Sequence, residues 1–422
     1  MNRSPIYLLL ISFCCWTCQQ KEDVRAVQVD GEGVVTALPP LWSKSTTESE
    51  EHLNYVIVRE GISHNGGVMV PKQSGDTHIA AWLNASTGET QWEWVTPVDN
   101  GRQNLILDAH YVSTGNLVFP NYGALYQIDL NTGLTVNKQQ TDHWMRRMAG
   151  IGNRYFVSSE VRLGASSLAR QGSLYTGTID GGNYNYVFTP PYENAEPGER
   201  VGLGSISPVV PYINDKGEIM IAFFYSELNA VDNTIKNGLY NFTADSMVYS
   251  GTVLDANSGP GANSYLQVYE DLAFASINNS IICYGLSDGE IVWRKPFNNS
   301  FTFSGYIIAD GVLLANNEDT YLYGIDPTSG RQLWKEKSSG TSSRMVAHNG
   351  VVYFVGGGDG LLHAVEIATG RHLWKLRSPD EAKNSGAFFM PFVAVVLPEN
   401  EMDKPLIVVS SYLSAMAFEA AR

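Results

Sequence analysis

Val351-Val-Tyr-Phe-Val355, Gly356-Gly-Gly-Asp-Gly360, Leu361-Leu-His-Ala-Val-Glu-Ile-Ala-Thr-Gly370 and Arg371-His-Leu-Trp-Lys375 follow one another without interruption. Short β-rich runs divided by turn residues form a meander of antiparallel strands. The same sentence recurs along the chain. Gly88 precedes Trp92, Gly289 precedes Trp293, Gly330 precedes Trp334 and Gly370 precedes Trp374, always by four residues. The last three glycines lie 41 and 40 residues apart, a period that belongs to solenoids, propellers or arrays. Each copy is a unit that cannot bury its own apolar face. No run after the first residues keeps a helical period long enough for a crossover helix, so the expected class is all-β.

The copies decay. Ala81–Gly88 and Tyr323–Gly330 match closely, whereas Leu125–Gly133 keeps the turn but has Asn137 where tryptophan would fall. Leu174–Asp180, Leu239–Asp245 and Ile282–Asp288 read as the same strand with altered turns, and Leu413–Glu419 is the last copy before the chain stops. Eight such third strands, the last without its glycine turn and fourth strand, predict an eight-bladed β-propeller of four-stranded antiparallel blades. The missing strand is expected from the N-terminal side, within Val34–Thr46, with Trp42 in the place of the blade tryptophan. Closing the ring in this way removes free sheet edges.

The pattern Ala-x-Asp-x-x-Thr-Gly-x-x-x-Trp resembles the repeat of the PQQ-like (quinoprotein-type) β-propellers, which include quinoprotein alcohol dehydrogenases and the BamB outer-membrane assembly lipoproteins. The resemblance is strong from Ile281 to Trp374 and weak from Arg154 to Asn279. It implies that Trp92, Trp293, Trp334 and Trp374, with Trp42, are structural wedges between blades. It also raises the possibility of a quinoprotein dehydrogenase. Those enzymes carry adjacent cysteines near the cofactor, a calcium-held acid and a catalytic aspartate. Here the only adjacent cysteines, Cys14 and Cys15, lie in the first residues, and no aspartate matches either role, so no cofactor is expected.

The first residues bear on location. Arg3 precedes an apolar stretch from Ile6 to Trp16 and then Thr17-Cys18, too short for a membrane span and suited to a secretory signal. Residues 1–18 are read as a lipoprotein-type signal with Cys18 as the acylated residue. Residues 19–33 read as a tether and 34–422 as one propeller, about 50 residues per blade. Trp16 and Cys15 depart from the usual lipobox, so plain cleavage and secretion is the alternative. The expected address is the outer membrane, facing the periplasm or the surface.

Chemistry-bearing motifs are scarce. Cys283 remains as a single cysteine outside the N-terminal segment, in an apolar strand that suits an inert thiol. No phosphate loop, zinc-protease helix or redox dithiol is present. His363 and His372 are read as packing or surface residues, and no metal ligand is assigned. Gly356–Gly360 reads as a hairpin turn needing positive φ rather than a phosphate cradle, because no helix follows. The net charge of −15 disfavours nucleic acid and anionic lipid as partners.

The working surface is expected at one channel mouth, where outer-to-inner connections cluster. Arg102, Trp144, Arg146, Arg200, Tyr265, Phe303 and Arg344 bring arginines and aromatics there, the composition of binding hot spots. The alternative is that Trp144 and Phe303 pack between blades and the arginines are solvated. Two functions follow: a non-catalytic envelope scaffold resembling BamB, gripping a membrane-protein partner, or a binding module for a glycan or small molecule.

Overall fold

The computed structural model describes residues 38–422 except 49, 51–52, 55, 57, 59–60, 98–104, 106, 108, 122, 142, 163–169, 182–183, 193–203, 208, 229–232, 256–265, 302–304, 341–342 and 398–403. Eight antiparallel sheets of four strands follow in chain order. Blades 1 to 7 span residues 62–95, 111–140, 144–188, 210–255, 266–296, 306–337 and 346–376. Blade 8 takes three strands from 389–419 and its fourth from Trp42–Ser45. Among the described residues the one helical turn is a 3-10 segment, Pro379–Ala382, and no helix is long and apolar enough to cross a membrane.

The burial pattern orders the strands radially. Second and third strands are nearly continuous apolar runs, such as Val351–Val355 and Leu362–Glu366 in blade 7. They are covered on both faces by neighbouring blades, and such strands lose the polar alternation of a one-sided sheet. Fourth strands alternate and lie outside, as Gln332–Lys337 does in blade 6. First strands touch one another across six of the eight seams and form the inner ring. The ring closes where Trp42 pairs with Ala417 and Ser45 with Ser414, antiparallel. This closing strand is shorter than the expected 34–46 segment. Residues 38–41 lie outside it, with Pro39 and Pro40 unable to donate to a ladder, and 34–37 fall outside the described residues.

Seams between blades are filled by one recurring device. Trp92 donates its indole N–H to the Leu130 carbonyl at 2.8 Å, Trp293 to Pro327 at 2.9 Å, Trp334 to Ile367 at 2.9 Å and Trp42 to Ala85 at 2.7 Å. Each acceptor lies three residues before the turn glycine of the next blade. Those glycines, Gly133, Gly330, Gly370 and Gly88, have φ of 72°, 70°, 77° and 72°. A Cβ on any of them would come within 2.5–2.8 Å of the indole. Glycine is therefore required twice over, by backbone conformation and by the ring lying on it.

The remaining seams use other chemistry. Between blades 2 and 3, Gln127 opposite Asn137 sends its amide to the Ile179 carbonyl, the position its indole-bearing counterparts use. Between blades 4 and 5, Asn237 donates to the Gly289 carbonyl at 2.7 Å while the Tyr249 ring covers Gly289. Between blades 3 and 4, Phe242 meets Phe156 edge to face at 5.2 Å with the Arg154 guanidinium above it. Trp374 packs beside Tyr353 in the cluster that joins blades 7 and 8. With no glycine turn beyond it, the C-terminus completes that seam. The Tyr353 hydroxyl accepts from the Ala421 N–H at 2.9 Å, and Arg422 pairs with Glu366.

Candidate functional site at the channel mouth

In each blade the first strand begins where the second ends, so fourth-to-first connections and second-to-third turns share one mouth. Buried polar side chains gather at this end: Asn121, Glu160, Glu227, Asn316, Asn317 and Ser411 sit at or near the ends of second strands. Many pin the incoming connection to its blade. Asn317 donates to the carbonyls of Asn299 and Ser300 at 2.8 and 3.0 Å. The Ser207 and Ser343 hydroxyls accept from the N–H groups of Phe224 and Val355, each at 2.9 Å. Pinning of this kind converts loops into a fixed surface.

Blade 3 departs from its neighbours here. Its inner strand, Trp144–Ile151, carries a bulge between Met145 and Arg147, a device that re-aims side chains and is common beside functional sites. Trp144 is 50% exposed. The Arg146 guanidinium lies 4.3 Å from the centre of its ring, and Arg146 Nε and Nη2 both donate to Glu160 Oε2, at 3.2 and 3.1 Å. Glu160 stands opposite Trp144 across the strand pair and is nearly buried. An exposed indole is thus held under a cation whose own position is fixed by a carboxylate, a preorganised surface for aromatic, carboxylate or hydroxyl groups.

The described residues of the adjoining connection are anchored as well. Residues Gly204 and Ile206 bridge to Gln171 of blade 3 and Tyr225 of blade 4, and Ser158 donates to the Ser207 carbonyl at 2.6 Å. The Tyr192 hydroxyl donates to the Gly172 carbonyl at 3.0 Å, and burial holds its phenol far above the usual range. Behind it, Lys236 and Glu227 form a pair at 3.0 Å with side chains 8% and 7% exposed.

Of the mouth residues expected from sequence, Trp144 and Arg146 are brought into contact. Arg344 is half-buried in the connection before blade 7. Arg102, Arg200, Tyr265 and Phe303 lie outside the described residues, as does Cys18. Sequence reading overlooked Glu160, which orders the arginine. Its signal is the cross-strand position opposite Trp144, invisible without the register. The glycine cluster forms the strand-to-strand turn expected of it. Within Gly356–Gly360 only Gly360 has positive φ, 63°, whereas Gly356 is small because a Cβ would strike Asp359 Oδ1 and His363 Nε2 at 2.0 and 2.9 Å.

Cys283 is fully buried, and burial pushes its thiol up to about 12. Among the described residues no three His, Cys, Asp or Glu side chains converge on a point able to hold a metal ion.

A family profile described as outer membrane protein assembly factor BamB matches residues 254–388 and 318–419. No curated protein matches the sequence. Solved structures share the ring at low identity. A europium-containing methanol dehydrogenase superposes with a TM-score of 0.61 at 12% identity, over 89% of this chain and 85% of its own. Sqt1 of Saccharomyces cerevisiae gives 0.58 at 11%, over 90% and 99%. The computationally designed Ika8 protein gives 0.56 at 12%, over 89% and 100%. An enzyme and a designed protein on one scaffold show that the likeness concerns fold and carries no activity. The chain is therefore an eight-bladed β-propeller whose blades between residues 254 and 419 match that family's repeat.

Proposed function

We propose that the chain is a non-catalytic cell-envelope scaffold that grips a membrane-protein partner at the mouth over blade 3. The observation that carries this reading is the exposed Trp144 under Arg146, itself fixed by Glu160. Indole and guanidinium groups held in one conformation lose little entropy on binding, which is why they dominate interface energies. The BamB profile match supports an envelope role with a protein partner. The seam devices support a rigid ring whose connections are held in place to present that surface.

The test is crosslinking and co-purification from native envelopes, comparing wild type with Trp144→Ala and Arg146→Ala. The reading expects one outer-membrane protein to be recovered with wild type and lost from both variants. Full recovery with both variants would overturn it. A glycan-array signal that vanishes in both variants, with no protein recovered, would replace the scaffold by a glycan-binding module.

A further inference from the structure

The charges of the ring are shared unevenly among its blades. Blade 3 holds five arginines, Arg146, Arg147, Arg154, Arg162 and Arg170, against two acids, Glu160 and Asp180, in a chain whose net charge is −15. No other blade span is net positive. The excess lies at the mouth. Arg154 and Asp180 are together at the far end, where the second strand begins and the third stops. Arg146 and Arg147 open the inner strand at the mouth, and Arg162 stands opposite Arg170 where the second strand ends and the third begins. Of the blade's two acids only Glu160 is at that end.

The described acids of the neighbouring blade 4 do not cancel this charge. Asp215, Glu218 and Asp245 lie in the turns at the far end, Glu227 is paired with Lys236, and Asp255 is paired with Arg294 at 3.1 Å. Asp142 and Asp232 lie outside the described residues.

Arg146 is arranged to receive a second carboxylate. Glu160 takes Nε and Nη2 along one side of the guanidinium, through a single oxygen. A guanidinium has five N–H donors, and this pairing uses two of them. The end-on fork, made by Nη1 and the second hydrogen of Nη2, is not engaged by any of the described residues, on a side chain that is 39% exposed. The Trp144 ring at 4.3 Å holds the plane of the group. A carboxylate meets such a fork with two parallel hydrogen bonds, and here the arginine is ordered before the ligand arrives.

We infer that the mouth over blade 3 takes a short acidic segment of a partner protein. One carboxylate binds the end-on fork of Arg146, an apolar group beside it packs on the exposed Trp144 indole, and further acids lie toward the strand ends that carry Arg162 and Arg170. The inference rests on the reading that this mouth grips a protein, and adds the chemistry of what is gripped. A long polyanion does not fit the same charges. The phosphates of a nucleic acid or an anionic bilayer would extend past blade 3 over blades that are neutral or acidic, and be repelled there. A short peptide stays within the one basic blade.

The test is fluorescence anisotropy of the full-length protein with a labelled hexapeptide of alternating glutamate and tyrosine, beside a counterpart with lysine for glutamate. The acidic peptide is expected to bind and the lysine peptide not. Raising salt from about 0.05 M to about 0.5 M is expected to weaken the binding roughly tenfold. Arg146→Gln is expected to weaken it about tenfold as well. Because that change also orphans Glu160, Arg162→Gln/Arg170→Gln serves as a second variant, expected to lower affinity and flatten the salt dependence. Lys216→Gln removes an exposed charge from the far end of blade 4 and is expected to bind as wild type does. The inference is overturned if neither peptide binds, if the lysine peptide binds as tightly as the acidic one, or if Arg146→Gln and the double variant both match Lys216→Gln. Should those results accompany an envelope protein recovered by wild type and lost from Trp144→Ala, the docking reading stands and the contact belongs to the indole alone. Binding of the acidic peptide with no envelope protein recovered would sink the scaffold reading and keep the acidic-segment site.

Discussion

The indole of Trp42 lies on Gly88 and donates to the carbonyl of Ala85 at 2.7 Å. Trp42 belongs to the strand that completes blade 8, and Gly88 to the turn of blade 1. The closing seam is thus built like the seams at Trp92, Trp293 and Trp334, although its two halves are brought together by the N-terminal and C-terminal ends of the ring.

Gly88→Ala meets two obstacles at this point, a φ of 72° and a Cβ that would approach the Trp42 ring to 2.6 Å. The expected cost is about 2–4 kcal/mol, combining left-handed strain with overpacking. Gly152→Ala is the control, since Gly152 has φ of 58° with nothing within 4 Å of the new methyl. It should cost roughly 1–2 kcal/mol. Denaturant unfolding of both variants checks the difference, and equal losses would mean that the indole does not occupy Gly88.

Lys236 and Glu227 provide a second test, because burying a charge is tolerable only while its partner remains. Lys236→Met and Glu227→Leu are each expected to destabilise by about 3–5 kcal/mol, and the double variant by much less than the sum. Additive losses in a double-mutant cycle would contradict the buried pair.

A pH effect is expected from His78. Burial lowers its pKa below 6.5, and its Nδ1 accepts from the Leu105 N–H at 3.1 Å, which requires the neutral ring. The unfolded chain therefore takes up this proton more readily than the folded one. The stability from this site is present above pH 6.5 and is lost as pH falls toward and through the lowered folded value. His78→Asn keeps an acceptor that does not titrate, so its stability should fall less steeply below pH 6.5 than that of wild type. Parallel slopes in urea unfolding across that window would refute the assignment.

The glycine-to-tryptophan spacing made the ring legible because one steric requirement repeats at each standard seam. Blades 3 and 4 were faint for the converse reason. Gln127, Asn237, Tyr249 and Phe242 fill their seams with amides and other rings, so the geometry persists while the residue signature does not. The closing strand was placed correctly but drawn too long, since Pro39 and Pro40 stop the ladder that Trp42 begins. The mouth was only partly legible. Trp144 and Arg146 are near in sequence, but Glu160 reaches them through strand register.

The most direct measurement of the closed ring is a disulfide across its last strand pair. Ser45 stands opposite Ser414, and the account predicts that Ser45→Cys/Ser414→Cys crosslinks within one chain under mild oxidation and raises the melting temperature. If both thiols stay open to maleimide after oxidation of the folded protein, the two ends do not share a blade and the closed propeller is contradicted.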